Sequence, residues 1–333
     1  MSDAPALHIV TGKGGTGKST CAAALAMSLA AAGQRILLAE TEGRQGLAPL
    51  LGVAELPYEE IRFTGPAAQN WSGTLHAQSI EPGPALVDYV TMFYPLPGAA
   101  AFLQRSGATA FVTAIAPGLR DVLITGKMAE AARRPLRASR TWTADGQPDG
   151  GYAFDAVVVD APPTGRIHKF LNVTEAVATV ATVGKVNEHA RRIRDVIKDA
   201  RTTVHLTALA EDLPVRETVE AAEQLRELGV EIASVLLNRF PMDPGPLPTD
   251  HEVTEVLSTH LPLAHAQQLS LRLSQEHSHR SAQYRRACEI AQPLLELEVP
   301  VVQLPDITTD SLPELSLRLS RIINPADAPV VVS

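Results

Sequence analysis

Residues 12–19 read Gly12-Lys13-Gly14-Gly15-Thr16-Gly17-Lys18-Ser19. The stretch follows an apolar, β-like run (ALHIVT, 6–11) and precedes an Ala/Leu-rich helical run (21–32). The spacing Gly-x-x-x-x-Gly-Lys-Ser, between a strand and a helix, is that of a phosphate-binding loop. Glycines let successive backbone N–H groups turn inward around a phosphate, where a Cβ would obstruct. The helix that begins beside Lys18 adds the positive end of its dipole. Lys18 is expected to reach the β- and γ-phosphates, and the Ser19 hydroxyl to ligate Mg²⁺. Gly12, Gly14, Gly15, Thr16 and Gly17 are the expected cradle.

Lys13, directly after the first glycine, is the less usual residue. It stands too far back along the loop to duplicate Lys18 on the same nucleotide. One use is to reach across a two-fold interface and neutralise phosphate charge on a partner's nucleotide, as an arginine finger does in trans. The alternative is a solvated lysine.

The 333 residues allow one large α/β domain or two smaller ones, and 45% hydrophobic residues suffice for a buried core. A net charge of −8 argues against broad nucleic-acid or anionic-membrane binding. Basic clusters at Arg133, Arg134, Arg137 and Arg140, and at Arg191, Arg192, Arg194 and Lys198, read as solvated helix faces or ion-pair partners. The only cysteines, Cys21 and Cys288, give neither a disulfide framework nor a Cys-x-x-Cys clip. No stretch approaches the ~20 apolar residues of a membrane span, and the N-terminus has no signal-peptide pattern. A cytoplasmic protein without an integral membrane segment is expected.

Strand-like runs alternate with helical ones. RILLAET (35–41) reads as a second strand, GTLHAQSI (73–80) as a weaker one, and AFDAVVVD (153–160) as a fully buried parallel strand ending in a carboxylate. Weaker strands are expected over 177–183 and 203–210, a helix over 215–228, a buried strand over 232–238, a last strand over 300–304 and a terminal helix over 311–322. This order predicts an α/β, doubly wound, mostly parallel sheet. It is read as a single domain over 1–333. Helical insertions at about 85–140 and 240–297 form a helical subdomain clustered on one edge.

In such sheets the ligand sits beyond the carboxyl ends of the strands. Three polar loops emerge there: the phosphate loop, Thr41-Glu42-Gly43-Arg44-Gln45-Gly46, and Asp160-Ala161-Pro162-Pro163-Thr164-Gly165. Asp160 is placed to hold Mg²⁺, directly or through water, beside Ser19. The Pro-Pro-Thr-Gly run joins rigid and flexible elements and suits a sensor of the γ-phosphate.

GKGGTGKST (12–20), ILLAETEG (36–43), SIEPGPAL (79–86), APGLRD (116–121), VVVDAPPTG (157–165), VLLNR (235–239) and VVQLPD (301–306) together resemble the deviant-P-loop ATPases of the arsenical-pump and tail-anchored-protein-targeting family. TEGRQG and DAPPTGR look most like a bacterial subgroup, commonly encoded as adjacent non-identical pairs and labelled anion-transporting ATPases. The resemblance implies ATP and Mg²⁺ sandwiched at the interface of a homodimer or of a heterodimer with a paralogous ATPase. Lys13 matches the intermonomer lysine, Lys18 the loop lysine, Ser19 the Mg²⁺ ligand and Asp160 the second-switch carboxylate. Thr20 matches the contact on the α-phosphate side, Asn238 the asparagine at the adenine edge, and Pro305 with Asp306 the loop against the base. An amide suits adenine, though Asn238 also fits a strand-end turn.

The first switch departs from the family's Asp-Pro-Ala-His-Asn. Here Glu42-Gly43-Arg44-Gln45-Gly46 stands instead, with a longer carboxylate arm and neither proline nor histidine. Glu42 remains a candidate base, and Gln45 a candidate to orient water. A longer, freer arm positions water less well, so slow turnover or activation by a partner is expected. The metal-binding Cys-x-x-Cys of targeting members and the arsenite-binding cysteines of pump members are missing, which speaks against a thiol metalloid site. Met92, Phe93, Tyr94, Phe102, Phe111 and Met128 are candidates either for a groove that receives an apolar helix of a client protein or for the core of the helical layer. The resulting reading is a dimeric Mg-ATP-hydrolysing switch. The alternative is a nucleotide-binding regulatory subunit with little hydrolysis of its own.

Overall fold

The computed structural model describes residues 5–93, 117–136, 151–172, 185–246 and 249–323. Eight strands form one sheet in the order β3-β4-β2-β5-β1-β6-β7-β8. They are β1 (Ala6–Gly12), β2 (Arg35–Glu40), β3 (Ile61–Arg62), β4 (Thr74–Ser79), β5 (Ala156–Asp160), β6 (Thr202–Leu209), β7 (Glu231–Phe240) and β8 (Val301–Pro305). All pairings are parallel except β3 with β4. The α/β, doubly wound fold read from the sequence is therefore present. β5 is buried at every position, as its unbroken apolar run requires.

β1 lies between β5 and β6, and the connection after it crosses to β2, on the far side of β5. The chain thus turns in opposite directions on the two sides of β1, and the crevice this opens lies at the carboxyl end of that strand. The register brings the functional ends level: Gly12 stands opposite Thr207, and Glu40 opposite Asp160.

One face carries α1 (Lys18–Ala31), α2 (Ala48–Leu51) and α10 (Leu312–Ser320). Residues from Cys21 to Ala30 of α1 are all buried, because the helix is enclosed by the sheet and by α10. Alanines at half of these positions let both neighbours approach closely. The other face carries α4 (Pro117–Ala131), α5 (Thr164–Leu171), α6 (Lys185–Ile197), α7 (Asp212–Glu227) and α9 (Leu263–Leu295). α3 (Pro82–Phe93) packs on α4, and α8 (Asp250–Ser258) on α9.

The two groups of inserted helices sit at different ends of that layer: α4 packs on α5, α6 and β5, whereas α9 packs on α7 and β7. Of the groove candidates, Met128 is buried in the core with Ile124 and Phe170. Tyr94, Phe102, Phe111 and the strand expected over 177–183 lie outside the described residues. Among the basic residues described, Arg133 pairs with Asp199, and Arg134 with Glu130 and Glu60. The contact with Glu60 joins the helical layer to the loop before β3.

The sequence reading overlooked a polar cluster inside the sheet. His8 Nδ1 lies 3.1 Å from His205 Nε2, and His205 Nδ1 lies 2.8 Å from Ser234 Oγ. Burial lowers His8 to about 4, and burial with the neighbouring His8 lowers His205 to about 3. Both rings are therefore neutral in the folded protein at pH 7. Below the ordinary histidine value of 6.5 the unfolded chain takes up protons that the folded chain refuses. Stability is unaffected above that pH and falls as pH drops towards the folded values. For His205 alone the loss between pH 7 and pH 5 is about 2 kcal/mol by linkage. Urea unfolding should show that part of the acid sensitivity disappearing in His205→Gln.

Candidate functional site

The site is built on three loops at the carboxyl edge of β1, β2 and β5. The phosphate loop turns on Gly15 (φ 89°) and Gly17 (φ 91°), in the left-handed region that glycine occupies freely. Gly17 is also crowded: a Cβ there would lie 2.2 Å from Asn238 Nδ2. Gly14 and Gly15 are exposed and have open space beside them. Among the described residues, no side chain caps the start of α1. Its first N–H groups are therefore left for an anion, with Lys18 and Thr20 in the same turn.

Threonines staple this loop to the sheet. Thr16 Oγ1 donates to the Lys13 carbonyl and lies 2.8 Å from Thr207 Oγ1. Thr11 Oγ1 donates to the Pro162 carbonyl (2.6 Å), which ties the loop after β5 to β1. Thr41 Oγ1 donates to the Asp160 carbonyl (2.7 Å) and ties the loop after β2 to β5.

Ser19 Oγ donates to Asp160 Oδ2 at 2.6 Å, so the two expected Mg²⁺ ligands are in contact. Asp160 Oδ1 is buried without a hydrogen-bond partner among the described residues. Burial raises the Asp160 carboxyl to about 7, with Glu40 and Glu42 adding to the rise, while the Ser19 hydroxyl and Lys18 oppose it. A buried, partnerless carboxylate oxygen beside a serine hydroxyl fits a hard divalent cation with oxygen ligands.

Glu40 was not anticipated from the sequence. It is 2% exposed, and its two oxygens accept from the Gly46 and Leu47 N–H groups, at 3.2 and 3.4 Å. It therefore holds the first-switch loop from below. Gln45 has φ 56°, and its side-chain amide is used at both ends: Nε2 donates to the Leu56 carbonyl and Oε1 accepts from the Leu56 N–H. In this structure Gln45 braces the loop. Glu42 Oε1 lies 3.5 Å from Arg166 Nη1 and 3.6 Å from Arg44 Nη2, and its other oxygen has no partner among the described residues.

These loops are recognisable beyond this chain. Residues 6–182 match the profile of the anion-transporting ATPases. The chain is 41% identical to ATPase BagA of Mycobacterium tuberculosis over 330 residues, covering 95% of this chain and 92% of the relative. The chain belongs to the anion-transporting ATPase family. A more distant similarity, 24% over 267 residues, links this family member to ATPase GET3 of Candida glabrata, with 69% and 71% of the two chains covered. No helix among the described residues is long and apolar enough to cross a membrane.

The remaining site residues fall as follows. The Lys13 ammonium pairs with Glu217 of α7 at 3.0 Å. Asn238, 7% exposed, donates from Nδ2 to the Thr16 carbonyl and accepts on Oδ1 from the Arg239 N–H. It thus braces the back of the phosphate loop. Pro305 ends β8 opposite Phe240, and Asp306 is exposed just beyond it. Glu40, Arg166 and Thr207 were missed, each being ordinary in sequence until the loops are brought together, and Thr41 was read only as part of a polar loop.

Proposed function

We propose that this member of the anion-transporting ATPase family is a Mg²⁺-dependent ATP-binding and ATP-hydrolysing switch that works as a dimer in the cytoplasm. The dimer is formed with a second copy or with a paralogous partner. The observation that carries the reading is the junction of Ser19 and Asp160 beneath the uncapped start of α1. Its idle Asp160 oxygen suits a divalent cation, and its loop and Lys18 suit a triphosphate. Ser19 and Asp160 would hold Mg²⁺, which when bound neutralises phosphate charge and polarises the phosphoryl oxygens.

Lys18 and the α1 amides bind and orient the phosphates, and Glu42 accepts a proton from water through its free oxygen. Because Gln45 is engaged with Leu56, Glu42 is the first-switch side chain with an oxygen to spare. Pro305 and Asp306 are the residues assigned to the adenine, while the Asn238 amide, turned to Thr16 and Arg239, would have to exchange those partners to read the base.

Lys13 is assigned to the partner's nucleotide. Its contact with Glu217 is a partly exposed ion pair of the kind that contributes little, so exchange for a partner's phosphate is cheap. Single-turnover hydrolysis with size analysis tests this. With Mg-ATP the parent chain, alone or with its paralogue, should dimerise, and Lys13→Ala should slow hydrolysis about tenfold or more, as loss of a trans cation does. A Lys13→Ala protein with unchanged size distribution and turnover would remove the trans role.

A second reading is favoured by the engagement of Gln45: the chain binds ATP and hydrolyses little, acting through its partner. Rapid turnover by this chain alone that survives Glu42→Gln would exclude both the slow-switch reading and the role of Glu42.

A further inference from the structure

Arg166, the first arginine after the Pro-Pro-Thr-Gly run, lies in the first turn of α5 and bridges two carboxylates. Its Nη1 lies 3.5 Å from Glu42 Oε1 in the first-switch loop, and its Nη2 lies 3.2 Å from Asp121 Oδ1 near the start of α4. The Arg166 side chain is 46% exposed, whereas those of Glu42 and Asp121 are 13% and 15% exposed. Burial pushes the Asp121 carboxyl up, and Arg166 with Arg120 pulls it back. One planar fork therefore meets a site carboxylate with one nitrogen and a helical-layer carboxylate with the other.

α4 is itself anchored in that layer. Lys127 donates to Asp88 of α3 at 2.8 Å, and Arg134, just beyond the helix, pairs with Glu130 and Glu60. Arg166 thus connects an ion-paired part of the helical layer to a carboxylate on a loop. The Glu42 arm has one rotatable bond more than an aspartate would, and such an arm needs an external contact to fix its aim. Both arginines approach Oε1, which leaves Oε2 for water.

We propose that Arg166 positions the Glu42 carboxylate and that Asp121 positions Arg166, so that the aim of Glu42 is set from the helical layer. Arg166 is a positioning residue and touches no nucleotide. This rests on the reading of Glu42 as the group that accepts the proton from water.

The test compares Arg166→Ala, Arg166→Lys, Asp121→Asn and the double variant R166A/D121N with the parent in Mg-ATP hydrolysis, with Lys18→Ala as the inactive control. Arg166→Ala should lower kcat about tenfold, the scale of a modest misplacement, with KM for ATP within about twofold. Asp121→Asn should give a smaller loss of the same kind, and Arg166→Lys should recover part. The double variant should equal Arg166→Ala, because Asp121 acts only through that residue. A raised KM would make Arg166 a nucleotide ligand, and additive losses or an unchanged kcat would disconnect it from Glu42; each overturns the proposal.

Hydrogen exchange over residues 42–45, without nucleotide, supplies a readout that needs no turnover. Exchange should quicken in Arg166→Ala and Asp121→Asn, and no further in the double variant. Absent hydrolysis in the parent with this exchange pattern intact would remove the catalytic reading and keep the linkage; unchanged exchange would remove the linkage itself.

Discussion

Replacing Lys18 by alanine should reduce kcat/KM for Mg-ATP by about a thousandfold while leaving the fold intact, since one preorganised charge on a transferring phosphoryl group is worth that order of magnitude. Lys18 opens α1 and is half-buried, in a turn whose N–H groups have no side-chain cap. Its charge already acts on Asp160, where it opposes the rise in that carboxyl's pKa. Deleting the ammonium removes a local cation from a site that also holds Glu40, Glu42 and Asp160. The loss should therefore appear in nucleotide binding as well as in turnover. Lys18→Arg should not restore activity, because the bulkier fork cannot enter as a point charge. Steady-state hydrolysis with an equilibrium binding titration measures both parts. A Lys18→Ala protein that keeps a tenth of parental kcat/KM would show that the phosphates lie elsewhere.

Gly12→Ala is the second large effect, and here the fold itself should suffer. A Cβ at position 12 would lie 2.0 Å from Thr207 Oγ1 and 2.3 Å from the Thr207 carbonyl oxygen. The hydroxyl could rotate away, but the carbonyl belongs to β6, whose register against β1 is fixed over six residue pairs. The phosphate loop must therefore move off the sheet. Overpacking of this kind costs about 3 kcal/mol, at the upper end of its usual range. Removing the hydroxyl with Thr207→Ala should recover only part, since the carbonyl remains. Gly14→Ala is the internal control: a Cβ there meets nothing within 4 Å and its backbone is not left-handed. Urea unfolding should rank the variants as parent and Gly14→Ala together, the Gly12→Ala/Thr207→Ala pair below them, and Gly12→Ala lowest. Parental stability in Gly12→Ala would contradict the close approach of β1 to β6.

Much of this architecture could be read from residue order. Val157, Val158 and Val159 followed by Asp160 have the pattern of a central parallel strand, and the loop at Gly12–Ser19 fixes what lies at its end. Serine and aspartate as neighbours followed from chemistry, because both kinds of oxygen serve one cation, and they meet at 2.6 Å. β3 was illegible: two residues, Ile61 and Arg62, become a strand only because β4 offers an open edge. Glu40 looked like the tail of an apolar strand. Its task, receiving the Gly46 and Leu47 N–H groups, depends on how the next loop folds back.

Gln45 carries an amide that suits water or a main chain equally well, and only the proximity of Leu56 shows which it meets here. Asn238 poses the same ambiguity, and its amide is turned to Thr16. His8 and His205 lie 197 positions apart, so their contact is a product of strand order alone.

The bare carboxylate oxygen of Asp160 has a consequence for the protein at rest. An acceptor stripped of water and given no donor is a standing local penalty, and it falls where β1, β2 and β5 converge. Loading should relax that point, so that occupancy is felt as a firming of the whole sheet.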